Sequence, residues 1–175
     1  MPVTVEDVAH VIRSIFTCKP QVNEEWVGFG LVNEFYNTEV HLMLETDSSS
    51  KSQILNVNMW FCAEDERRMV IELDYHDALE LCDRIEDRIM WGNVFPSEAD
   101  EGFGYEIVLN RVIDTSALDL KLALEGQPES ELLRTLQRLS DEWLKLSPVI
   151  GGIAVGQLTE LDHIELFLDQ SASST

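Results

Sequence analysis

Apolar residues recur at helical spacing from Val5 through Val8, Ile12 and Ile15, behind Thr4 with Asp7 three positions on. That pattern predicts an amphipathic helix with Thr4 as N-cap, ending near Thr17 ahead of Pro20. The period then drops to two. "WVGFGLVNEFY" and "EVHLMLETD" predict two antiparallel strands around Asn37, the second alternating Val40, Leu42 and Leu44 with His41, Met43 and Glu45. Past the polar loop "DSSSKS", Leu55, Val57, Met59 and Phe61 mark one face of a third strand, and Met69, Ile71 and Leu73 one face of a short fourth. The four are expected in meander order. "YHDALELCDRIEDRIM" returns to helical spacing, with Ala78, Leu81, Cys82, Ile85 and Ile89 inward.

"WGNVFPSEADEGFG" predicts a loop, because Gly, Pro, Asn and acidic residues interrupt the pattern. A hairpin is expected to follow, "YEIVLNRVID" with "LDLKLALEG", the second strand placing Leu118, Leu120, Leu122 and Leu124 on one face. Pro128 then opens a helix carrying Leu132, Leu136, Leu139 and Trp143, expected to end before Pro148. The resulting expectation is an α+β fold, an antiparallel sheet packed with three main helices in the order α-β-β-β-(β)-α-β-β-α. Residues 1–156 form a single domain, 157–170 a C-terminal extension holding "QLTELDHIELFLD", and 171–175 a tail disordered by composition.

A chain of 175 residues, 45% of them hydrophobic, is long enough to bury one sizeable core. Its 33 acidic and 12 basic residues give a formal net charge of −21, which repels nucleic-acid phosphates and anionic membranes. Neither is an expected partner. The start "MPVTVEDVAH" lacks the basic and apolar regions of a signal peptide, and no apolar tract reaches the ~20 residues of a membrane span. A cytoplasmic protein is expected. Cys18, Cys62 and Cys82 are odd in number and far apart, which points to free thiols instead of a disulfide framework or zinc site.

Chemistry-bearing motifs are sparse. His76 between Asp74 and Asp77 lacks the second ligand of a helical metal site, and acids at a helix start explain both aspartates. Glu98, Asp100 and Glu101 lack the ligand order of a calcium loop. The glycines of "VGFGLV" and "EGFGY" have no Walker lysine or third fingerprint glycine, so bulges or strand starts are their expected role. No catalytic, cofactor or metal residue is assigned. Trp60, Cys62 and Ile54 lie on the strand face opposite Leu55 and Val57, so that strand is apolar on both sides. One side is expected to meet helices. The other meets either this chain's own helices or a second subunit or partner, and Leu133, Leu144 and Leu146 pose the same choice on the last long helix. The candidate partner or dimer surface is therefore Ile54, Trp60, Leu133, Trp143, Leu144, Val149 and Ile150.

The element order, with "LDLKLALEG" and "PESELLRTLQRLSDEWLKLSPVIGGIAVG", resembles the YbjN-like family of sensory transduction regulators, whose fold is that of type III secretion chaperones. The resemblance spans residues 27–156 by element order and is densest over 103–156. It implies a small, acidic, non-enzymatic protein that binds other proteins, often as a homodimer, through sheet or helix surfaces and without a cofactor. The net charge supports a second expectation of a different class: an acidic inhibitor, immunity protein or nucleic-acid mimic that binds a basic partner.

Overall fold

The computed structural model describes residues 2–16, 18–32, 37–63, 67–89, 92–100 and 103–158. Over these described residues it is an α+β fold, an antiparallel sheet of seven strands with four helices.

Helix α1 (Val5–Ile15) begins at a complete capping box: Thr4 Oγ1 accepts from the Asp7 N–H at 3.2 Å and Asp7 Oδ2 accepts from the Thr4 N–H at 2.9 Å. A short β1 (Gln21–Val22), absent from the sequence expectation, pairs with β2 (Trp26–Val32). The strands β2, β3 (Asn37–Thr46) and β4 (Gln53–Cys62) form the expected meander. The register of β2 on β3 runs without a skipped residue from Trp26↔Met43 to Val32↔Asn37, so "VGFG" contains no bulge.

The expected fourth strand continues the meander only at its start, where Arg68 bridges to Cys62 and the Met69 N–H donates to the Phe61 carbonyl at 2.8 Å; its remainder, β5 (Val70–Ile71), pairs with β7 (Tyr105–Asp114). Helix α2 (Tyr75–Glu86) follows, capped by Asp74, whose carboxylate accepts from the His76 and Asp77 N–H groups. The expected loop after it contains a strand, β6 (Asn93–Glu98), and this strand is the true hairpin partner of β7. Pro96 is compatible with it because β6 pairs with β7 alone. The β6 pairing overlaps the stretches of β7 that pair with β4 and β5. A strand has two edges, so β4 and β5 share one edge of β7 and β6 takes the other.

"LDLKLALEG" is not a strand. After a 3₁₀ turn at Thr115–Ala117 it forms helix α3 (Leu120–Leu124), with Asp119 accepting from the Lys121 and Leu122 N–H groups. Alternating leucines mimic a strand, but Leu, Lys, Ala and Glu are helix formers, and no β-branched residue is present to favour extension. The stop is a Schellman motif on Gly126: at φ 67° its N–H reaches the Ala123 carbonyl, and the Gln127 N–H reaches that of Leu122.

Helix α4 (Glu131–Ala154) starts at Ser130, not Pro128, and runs through Pro148 to its end. Leu132, Leu136, Leu139, Trp143, Leu146, Ile150 and Ile153 are all buried, at alternating steps of four and three that Pro148 does not break. Pro148 is on the exposed side, and packing on the opposite face holds the helix through the missing N–H. Ser147 Oγ donates to the Trp143 carbonyl at 2.6 Å one turn earlier.

One contiguous core joins the four helices to a single sheet face: Val27, Phe29, Val40, Leu42, Leu55, Val57, Met59, Phe61, Val94, Ile107, Leu109 and Ile113. Cys62 and Val108 are also buried but lie outside that cluster, on the opposite face. No described helix is long and apolar enough to cross a membrane. The tract from Thr159 to Thr175, which includes most of the expected extension and the tail, lies outside the described residues.

Candidate functional site

Strand register assembles the second sheet face in cross-strand rows. One row reads Trp26, Met43, Asn56, Val112; the next reads Gly28, His41, Asn58, Asn110, Asn93; a third reads Gly30, Glu39, Trp60, Val108, Phe95. Gly28 is what lets the first two rows interlock. A Cβ there would overlap the Trp26 indole, so the ring lies in that space and stacks on His41, with centroids 4.5 Å apart and planes 8° from parallel. His41 meets Trp60 edge to face at 4.9 Å, and the Arg68 guanidinium sits 4.2 Å above the Trp60 ring centroid.

Arg68 closes the chain of contacts electrostatically. Its Nε and Nη2 donate to Glu39 at 2.8 and 3.2 Å, and its Nη1 donates to Glu106 at 3.1 Å. Glu39 Oε1 is also 2.5 Å from His41 Nε2. The His41 contact, reinforced by Arg68, holds the Glu39 carboxyl down at about 2. Glu106 is shifted the other way: burial raises it, against the pull of Arg68. Beyond this cluster, Asn110 donates to Asn58 at 2.7 Å and Asn56 to Glu45 at 2.7 Å.

A second surface is a groove of about 580 Å³ between the end of α1, the end of β2 and the first half of α4. Ile15, Phe16, Leu31, Val32, Leu133, Leu136, Trp143 and Leu144 supply its apolar lining, with Arg134 and Gln137 among its polar members. Val32 is 74% exposed and Leu144 49%, so large apolar groups face solvent where the groove opens. Trp143 is buried in its wall, and its indole N–H finds no hydrogen-bond acceptor among the described residues.

The residues expected on a partner surface therefore separate into three groups. Leu133, Trp143 and Leu144 converge on the groove. Ile54 and Trp60 are half-buried on the second sheet face. Val149 and Ile150, like Leu146, are buried in the core and present almost no accessible surface. Trp26, His41, Arg68, Glu39 and Glu106 were not singled out by sequence. Their only signal was that Glu39, His41 and Met43 alternate with core residues, which reads equally well as a solvated face.

Among the described residues no group of three or more His, Cys, Asp or Glu side chains is placed to hold a metal ion. Burial pushes the Cys62 thiol up to about 11, with the Glu39 charge adding to it, and burial pushes Cys82 up to about 12. Both thiols stay protonated at neutral pH and are poor nucleophiles. No family model, curated protein or solved structure matches the chain.

Proposed function

We propose that the protein is a protein-binding regulator or chaperone-like module, cytoplasmic and without catalytic chemistry of its own, that holds an apolar segment of a partner in the groove between α1, β2 and α4. The observation that carries the reading is the groove itself, where Val32 and Leu144 stand exposed and Leu133 and Trp143 complete the wall. A trench of this kind suits the apolar face of an amphipathic helix, read at helical spacing by leucines on one side. The resemblance to secretion-chaperone-like regulators, which rests on the element order and the α4 segment now that "LDLKLALEG" is a helix, favours the same class of activity. Capture of partners with wild type and with Leu144→Asp tests it. A partner retained by the wild type in high salt and lost by the variant supports the reading, whereas recovery of only a small molecule that is turned over refutes it.

The net charge of −21 favours a second reading, an acidic inhibitor or nucleic-acid mimic bound to a basic partner. Salt separates the two, because contacts between exposed charges are screened as ionic strength rises and apolar contacts are not.

A further inference from the structure

Helix α4 ends in a Schellman motif on Gly156, at φ 70°: its N–H reaches the Ile153 carbonyl at 2.9 Å, and the Gln157 and Leu158 N–H groups reach that of Gly152 at 2.8 and 3.1 Å. The chain is thereby turned back onto the helix. Leu158 lies against Gly152, where a Cβ would come within 2.9 Å of its Cδ1, and it packs at the margin of the core. Gly152, Pro148, Leu144 and Ser140 stand four residues apart and form one row on the surface of α4. That row leads from the seat of Leu158, across exposed Pro148, into the groove, whose lining includes Leu144 and Ser140. The sequence after Leu158 is "TELDHIELFLD", Thr159–Asp169. Read at helical spacing, Leu161, Ile164, Phe167 and Leu168 fall on one side and Asp162, Glu165 and Asp169 on the other, with Leu166 alone among the large apolar residues off the first. From this row and this pattern we propose that Thr159–Asp169 docks as an amphipathic helix antiparallel to α4, with Ile164, Phe167 and Leu168 over Leu144 and the mouth of the groove, so that a partner must displace it.

Three features favour this segment as the occupant. The lengths agree: Gly152 to Ser140 is about 18 Å along α4, and Thr159–Asp169 as a helix spans about 16 Å. The charges agree as well. An acidic segment meets no carboxylate among the described residues lining the groove, which include Arg134, and α4 itself carries three acids and three bases in a chain with 33 and 12. The attachment supplies the rest. Tethering at Leu158 holds the segment beside α4 at an effective concentration on the order of 1 mM, so a contact that is weak for a free peptide suffices.

The proposal rests on the groove as the binding surface, and its test needs no partner. Hydrogen exchange read by mass spectrometry on the full chain is expected to show the amides of 164–169, beyond the first helical turn, exchanging about tenfold or more slower than an unstructured peptide. Leu144→Asp and Ile164→Asp each return them to the free rate while exchange in α2 and β4 is unchanged, and Leu166→Asp keeps the protection. A synthetic peptide of residues 157–170 binds the full-length Ile164→Asp chain, whose groove is open, with a Kd of about 0.1 mM, the value that gives about tenfold protection at an effective 1 mM. It binds wild type about tenfold or more weakly. Free-rate exchange of 164–169 in wild type overturns the proposal, as does protection that survives Leu144→Asp or is lost equally in Leu166→Asp. Free-rate exchange in a wild type that captures a partner leaves the groove reading standing, whereas protection without any captured partner supports the docked segment alone.

Discussion

Gly28→Ala should destabilise the protein although the substitution is usually favourable in an extended strand. The Trp26 indole occupies the space that a Cβ would need, and it is pinned there against His41. Displacing it removes an aromatic stack worth about 1 kcal/mol. It also exposes on the order of 50 Å² of apolar surface, about 1.2 kcal/mol at 25 cal/mol per Å². Replacing Gly by Ala in a strand returns about 0.7 kcal/mol. The net loss is about 1.5 kcal/mol, read from urea unfolding with an unchanged m-value. The control is Trp26→Ala, in which the space is empty: there Gly28→Ala should stabilise, so the effect reverses sign and the coupling between the two positions is about 2 kcal/mol. An effect of the same sign and size in both backgrounds would refute the account of the stack.

Three further outcomes follow from particular residues. Pro148→Ala restores the N–H that the Leu144 carbonyl lacks on an exposed face, and should stabilise by about 1–3 kcal/mol, raising Tm by about 2–4 °C per kcal/mol; a neutral or lower Tm would show that α4 needs the proline. Gly126→Ala has open space for its Cβ but φ 67°, so it should destabilise by about 1 kcal/mol in urea unfolding; a neutral result would favour an extended strand there over a helix stop. Glu39 is held at about 2 when folded, below its ordinary 4.5, so its stabilising contribution is complete above pH 4.5 and lost as pH falls towards 2. The stability gap between wild type and Glu39→Gln should therefore close over that window in urea titrations, and a gap that widens there would contradict the pairing with His41 and Arg68.

What was legible in the sequence depended on whether one strong local signal stood unopposed. The third strand was, because Leu55, Val57, Met59 and Phe61 alternate without interruption and all four are buried. The first two helices were, because Thr4 and Asp74 cap them and their inward residues keep helical spacing. Sequence pattern and structure part where two local signals conflict. In "LDLKLALEG" the alternating leucines outweighed the helix-forming composition, the Asp119 cap and the Gly126 stop. In α4 the general cost of an internal proline outweighed the spacing from Trp143 through Leu146, Ile150 and Ile153, which places Pro148 outward.

The second sheet face was illegible for a different reason. Trp26, His41 and Trp60 sit on three strands, and Arg68 meets a glutamate 38 positions away, so the stack exists only once register is fixed. Register itself is set by the opposite face, since a one-residue slip would expose Val40, Leu42, Leu55 and Val57 together. The core thus dictates which polar-face residues meet, and Gly28 decides whether they interlock. Glycine leaves no periodic signal, which is why its role here emerges from the space around it. The same coupling means that a substitution on the second face can change the stack without disturbing the register, so its variants report on the surface and not on the fold.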